Sequence, residues 1–190
     1  SRLSIKRLDE TKRAWHGKFM TDYAELLQPD QGQPARTITV LGRSDFPDWL
    51  AAQPERTRAA ALAARFEART GEMLVVPGDG PSEWSVVLGD ATEKSVWTLA
   101  SAAGRLPEGL YRLMGRNSAS MTLGWLLAHY RFERYLSEAE PIPSRVLLTS
   151  DPASISEQVH LAEAVALVRD LVNTPAADMG PAELQHEAET

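Results

Sequence analysis

Short, mostly apolar runs recur along this chain, separated by stretches with helical character, and that alternation limits its fold most. Thr37-Ile38-Thr39-Val40-Leu41, Met73-Leu74-Val75-Val76, Trp84 to Leu88, Leu110 to Met114 and Arg145-Val146-Leu147-Leu148-Thr149 read as five strands. Between the second and third lies Gly78-Asp79-Gly80-Pro81, a turn sequence, so these two are expected to form a hairpin. The intervening stretches read as helices. One is capped by Ser44 or Asp45, with Pro47 in its first turn and Trp49 and Leu50 facing inward. An alanine-rich run from Pro54 to Thr70 is closed by Gly71. Glu93 to Ala103 places Val96, Leu99, Ala100 and Ala103 on one side, with Gly104 as its stop. Gln28 to Pro34 reads as a loop. Strands alternating with helices predict an α/β domain with helices on both faces of a sheet of five strands, or slightly more. The hairpin makes that sheet mixed.

Two longer helices are expected. Asn117 to Leu136 carries one stripe of Leu123, Leu126, Leu127 and Tyr130 and another of Met121, Trp125, Phe132 and Leu136. A helix apolar on two sides is buried on two sides. The last helix opens with Ser154 and Glu157 in capping-box spacing, the hydroxyl taking an amide and the carboxylate returning to the cap. Leu161, Val165, Val168 and Val172 then recur at helical spacing, and Pro175 ends the helix.

Length and composition exclude several classes. A chain of 190 residues allows one domain or slightly more and a core that needs no covalent staple. The absence of cysteine removes disulfides, thiolate zinc sites, iron–sulfur clusters and cysteine nucleophiles. No apolar run approaches the ~18 residues of a membrane span. The net charge of −6 is unevenly spread. Residues 1–20 carry six basic residues against Asp9 and Glu10, while residues 137–190 carry ten acids against Arg145 and Arg169. The basic start lacks the apolar stretch of a secretory signal, and its acids speak against a transit peptide. Ile5, Leu8, Trp15 and Phe19 could share one face of an amphipathic helix lying on the domain. The chain stops in what reads as a helix just begun, and both ends are expected to be cut points.

No residue stands out as a catalytic, cofactor-binding or metal-binding candidate. His16, His129, His160 and His186 share no metal-ligand spacing, and His-Glu-x-x-His is absent. His129, on a face with Met121, Trp125 and Phe132, reads as a satisfied, partly buried histidine; His160 reads as a surface residue. No nucleophile elbow, Walker loop or dinucleotide fingerprint occurs, and Gly78-Asp79-Gly80 is too short to cradle a phosphate with specificity. Arg131 and Arg134 among Tyr130, Phe132 and Tyr135 allow a nucleic-acid stacking surface, against the simpler reading of core aromatics and arginines paired with acids.

Two segments carry a resemblance. Residues 124–135, Gly-Trp-Leu-Leu-Ala-His-Tyr-Arg-Phe-Glu-Arg-Tyr, are similar to a stretch shared by the cytosolic leucyl aminopeptidases. Residues 168–184, Val-Arg-Asp-Leu-Val-Asn-Thr-Pro-Ala-Ala-Asp-Met-Gly-Pro-Ala-Glu-Leu, resemble that family's interdomain segment, with Ala177 where the family commonly has asparagine. Residues 33 to 190 follow the order of elements in the family's N-terminal half.

The resemblance implies a parent that is a hexameric, cytoplasmic exopeptidase releasing N-terminal residues, often leucine, from peptides. It implies two divalent metals, zinc or manganese, held by a C-terminal catalytic domain. The lysine–aspartate and Asn-Thr-Asp-Ala-Glu-Gly-Arg segments that bind them there do not occur in this sequence, so no catalytic or metal residue is carried over. It implies a macro-domain-like N-terminal fold. The expected organisation is an extension over 1–32, the macro-like domain over 33–150, a connector helix over 151–175, and the start of the catalytic domain over 176–190. The expected role is non-catalytic, in oligomer assembly and active-site access. The alternatives are a macro-like module for ADP-ribose, a nucleic-acid binder, or a piece serving only oligomerisation.

Overall fold

The computed structural model describes residues 21–80, 82–90, 95–115, 119–135 and 144–188. The basic leader with Ile5, Leu8, Trp15, His16 and Phe19 lies outside the described residues. Six strands form one mixed sheet: β1 (Leu27–Pro29), β2 (Arg36–Leu41), β3 (Met73–Pro77), β4 (Trp84–Gly89), β5 (Gly109–Gly115) and β6 (Arg145–Thr149). Their order across the sheet is β1-β6-β5-β2-β4-β3. All neighbouring pairs are parallel except β3 with β4, which is the expected hairpin, in register Val75↔Val86. Five of the strands fall where the apolar runs predicted them. The sixth, β1, falls where a loop was expected to begin. It is three residues long and pairs Leu27 with Leu147 at the sheet edge, where Pro29 removes no ladder donor that a neighbour needs.

Helices cover both faces. Among the described residues there are five shorter helices and one long one: α1 (Phe46–Ala51), α2 (Glu55–Ala63), α3 (Val96–Ala103), α4 (Ala119–Leu127), α5 (Ile155–Asn173) and α6 (Pro181–Ala188). Side chains alternate between faces along each strand, so the sheet feeds two cores. Ile38, Val40, Val86, Leu88, Tyr111 and Leu147 pack with Leu99 and Ala102 of α3, Met121 and Trp125 of α4, and Val159, Ala162 and Ala166 of α5. On the other face Leu41, Leu74 and Val87 meet Ala61 and Phe66, with Phe46 and Trp49 beside them. The larger core stacks Trp84, Tyr111, Trp125 and His129 in a row of tilted rings, each pair 5.6–6.3 Å apart.

Two close approaches depend on glycine. A Cβ on Gly124 would sit 1.8 Å from the Val96 carbonyl oxygen, so only glycine lets α4 lie so near α3. A Cβ on Gly89 would sit 2.1 Å from the Arg69 carbonyl oxygen.

Three local expectations are corrected. The alanine-rich helix ends at Ala63, not Thr70, because the chain turns back with Arg65 and Ala68 at positive φ (51° and 55°) to bury Phe66 and Ala68. An alanine run looks helical by propensity, but the second core takes these two side chains. The helix expected over 117–136 ends at Leu127; its last turn tightens as His129 N–H donates to Leu126 O, and residues 130–135 leave the helix to bond α5. The Ser154–Glu157 capping box does not form. Ser154 already has helical angles and donates its hydroxyl to Asp151 O at 3.0 Å, inside a 3₁₀ turn over Pro152–Ser154.

The apolar stripe that marked α5 in the sequence is not the side that seats it. Val159, Ala162 and Ala166 are buried, with Gln158, while Leu161, Val168 and Val172 face out.

Candidate functional site

The most organised polar cluster joins the end of α4 to α5. At the end of α4 the Leu127 carbonyl accepts from Tyr130 N–H at 3.3 Å and also from Arg169 Nη1 at 3.3 Å, whose guanidinium lies 5.2 Å from the Tyr130 ring centre. Tyr130 donates its hydroxyl to Asp170 Oδ1 at 2.6 Å and accepts from Asn173 Nδ2 at 3.1 Å. One turn on, Arg134 Nη1 donates to Thr174 Oγ1 at 3.1 Å, and that hydroxyl donates to Asp170 O at 2.7 Å, closing the C-terminus of α5. Beyond the helix, Tyr135 donates to Asp178 Oδ2 at 2.8 Å. Residues 169, 170, 173 and 174 share one side of a helix by their three- and four-residue spacing, which is why one short segment can meet all four.

This clasp is made by the two segments that carry the resemblance. Residues 127–135 supply one jaw and residues 169–178 the other. Their polar residues had no assigned role in the sequence, yet the pairing accounts for Arg169, Asp170, Asn173, Thr174 and Asp178 together. The available signal was that these residues lie in the more specific of the two motifs, at helical spacing.

Burial raises the two tyrosines that face the clasp. Tyr130 is pushed up to about 12, first by loss of solvent and then by its bond to the Asp170 carboxylate. Tyr23, in the 3₁₀ turn Tyr23–Leu26 against α5, is also pushed up to about 12, with burial the largest cause. Both stay protonated at neutral pH, and Tyr130 thereby serves as the donor to Asp170. Burial also lowers His129 below its ordinary value. Its Nδ1 lies 2.8 Å from Trp125 O; a carbonyl only accepts, so Nδ1 carries the proton of the neutral ring. His129 is buried as a histidine on that face should be, but it is only half satisfied: Nε2 has no hydrogen-bond partner among the described residues, while Thr21 Oγ1 reaches its backbone carbonyl at 3.2 Å.

The remaining candidates are placed as follows. His160 is exposed. His16 lies outside the described residues, as does the side chain of His186. Arg131 pairs with Glu133 at 3.3 Å as expected, but Arg134 is engaged by Thr174 and not by an acid. The pair therefore serves the protein's own contacts. In the Gly78–Gly80 turn, Glu83 Oε2 accepts from Gly80 N–H at 3.1 Å, which puts a carboxylate where a phosphate would need the amide. Among the described residues no three His, Cys, Asp or Glu side chains gather in a way that could hold a metal ion. The described residues thus do not fit the metal pair that the resemblance places in the parent. Among them, too, no helix is long and apolar enough to cross a membrane.

Known proteins supply the family. The model of the M17 aminopeptidase N-terminal domain matches residues 37–148, more than half of the chain. The chain belongs to the M17 aminopeptidase family, through that N-terminal domain. Among particular relatives, a probable cytosol aminopeptidase of Rhizobium johnstonii is 33% identical over 159 residues, covering 68% of this chain and 32% of its own. The crystal structure of a cytosol aminopeptidase from Coxiella burnetii has the same fold, with a TM-score of 0.74 at 23% identity over 87% of this chain and 37% of that one. The bottromycin maturation enzyme BotP in complex with Mn shares it at a TM-score of 0.61 and 21% identity, over 82% of this chain and 36% of that one. The chain spans between a quarter and a third of the length of the curated relatives it matches.

Proposed function

We propose that this chain is the non-catalytic N-terminal domain of a cytoplasmic, metal-dependent leucyl aminopeptidase that removes N-terminal residues from peptides. The observation that carries this reading is the clasp: the segments similar to the family's shared stretch and its interdomain segment bond each other across α4 and α5. In this reading residues 1–32 are an extension, 33–150 the domain, 151–175 the connector, and 176–190 the first piece of the catalytic domain. The two divalent metals, zinc or manganese, belong to that catalytic domain, which the relatives' greater length has room for. A relative of the same fold in complex with Mn supports the metal assignment. The domain's contribution is to assembly, as part of a hexamer, and to the shape of the approach to the active site.

The test compares two proteins under one assay. The 190-residue chain, purified with added manganese or zinc, releases no leucine from leucine amide. The full-length protein does so, and loses the activity to a chelator. Metal-dependent cleavage by the 190-residue chain, or its absence from the metal-loaded full-length protein, overturns the reading.

A further inference from the structure

Leu161, Val165, Val168 and Val172 follow one another at intervals of four, three and four residues along α5. At ~100° per residue they fall within an arc of about 60°. Leu161 is 44%, Val168 59% and Val172 79% exposed. The inner seam of Val159, Ala162 and Ala166 is already buried against the domain, so the same helix carries a second, uncovered apolar stripe. A helix apolar on two sides is one that has two partners to bury against.

Three occupants can be weighed. A membrane surface wants Lys and Arg beside the apolar stripe. The helix instead carries Glu157, Glu163 and Asp170, and its single arginine, Arg169, is drawn into the clasp. A second copy would meet the stripe along one helix, a seam narrow beside the ~800 Å² per partner of a stable interface. The third occupant is the rest of the longer protein. The relatives extend two to three times beyond the matched part, and their length leaves room for a further domain to cover the stripe.

We infer that the stripe Leu161–Val165–Val168–Val172 is the docking surface for the catalytic portion that follows this domain, so that α5 is a core helix of both domains. The inference rests on the function proposed above. It makes the connection a rigid one. The clasp fixes the inner side of α5 to this domain, and the catalytic portion buries the outer side, so the two domains move together.

The absence of cysteine provides the test. Val168→Cys, and separately Leu62→Cys on the 81%-exposed surface of α2 as a control, are introduced into the 190-residue chain and into the full-length protein. Labelling by a maleimide is followed by peptide mass spectrometry, so other cysteines in the full-length protein do not interfere. Position 168 is expected to label as fast as a free thiol in the 190-residue chain and on the order of 100-fold more slowly in the full-length protein. Position 62 is expected to label equally in both. Equal labelling at 168 in both proteins overturns the inference. Slow labelling in the 190-residue chain, together with a dimeric mass by sedimentation, overturns it in favour of a second copy. Leucine-amide activity is read on the same full-length samples. Activity with an unprotected position 168 fails the docking alone. Protection without activity fails the proposed function and leaves the stripe covered by the following segment.

Discussion

The inner and outer sides of α5 differ in a way that hydrophobicity does not describe. The inner side carries the smaller apolar residues, Val159, Ala162 and Ala166, and it is buried. The outer side carries Leu161, Val168 and Val172, larger and more regularly spaced, and it is exposed. Small side chains let the helix axis come close to its neighbours, and close approach brings backbone and polar groups within bonding range. That is what the clasp uses: Arg169 reaches the Leu127 carbonyl, and Asp170 and Asn173 reach Tyr130, from positions flanking the small residues. A stripe of aliphatics shows that a helix face will be covered. Which of two faces meets this domain is decided by where the polar groups can be satisfied.

Five changes in the 190-residue chain break or sharpen this contrast. The largest effect is expected at the core beneath the inner side. Trp125→Ala empties a fully buried ring site between Tyr111 and His129 and should cost about 3–5 kcal/mol in urea unfolding. Gly124→Ala, which drives a methyl group into the Val96 carbonyl, should cost about 1–3 kcal/mol by the same measurement. Next comes the clasp: Tyr130→Phe removes one donor and one acceptor and strands Asp170, for a loss of about 1–2 kcal/mol. Hydrogen exchange at the last turn of α5 should rise in this variant while the sheet stays protected.

A pH-dependent loss follows from His129. Burial holds its folded pKa below the unfolded value of ~6.5, so the folded state favours the neutral ring. Its contribution is complete above that unfolded value and declines as pH falls through and below it, because the unfolded chain then binds a proton the folded chain resists. Thermal melts between pH 8 and pH 5 should show this slope, and His129→Asn should flatten it. The smallest effect is expected outside: Val172→Ser should change stability by no more than about 0.5 kcal/mol, since Val172 is 79% exposed. A cost near that of an inner-side change would mean the outer stripe is already covered in this chain.

Much of the fold was legible because strands are read from local patterns. The five short apolar runs, the hairpin turn and the two-sided helical layering needed only side-chain period and turn chemistry. The edge strand β1 was hidden because three residues ending in Pro29 carry no pattern, and only pairing with β6 makes them a strand. The helix ends at Ala63 and Leu127 were hidden for a related reason. Alanine and leucine continue a helix by propensity, but Phe66 and Ala68 are claimed by the second core and Tyr130 and Arg134 by α5. The clasp was half-visible: its two jaws appeared as similar segments, with nothing in the linear order to say that they face each other across some forty residues.

The amino-acid sequence by itself determined the alternation of strand and helix, the mixed sheet, the burial of His129 and the family segments, because each depends on residue type at short spacing. The tertiary structure decided the strand order, the lengths of α2 and α4, and which side of α5 turns inward. Those choices rest on which distant groups can satisfy one another, and that is settled only when Tyr130, Arg134, Asp170 and Thr174 are brought within reach of one another.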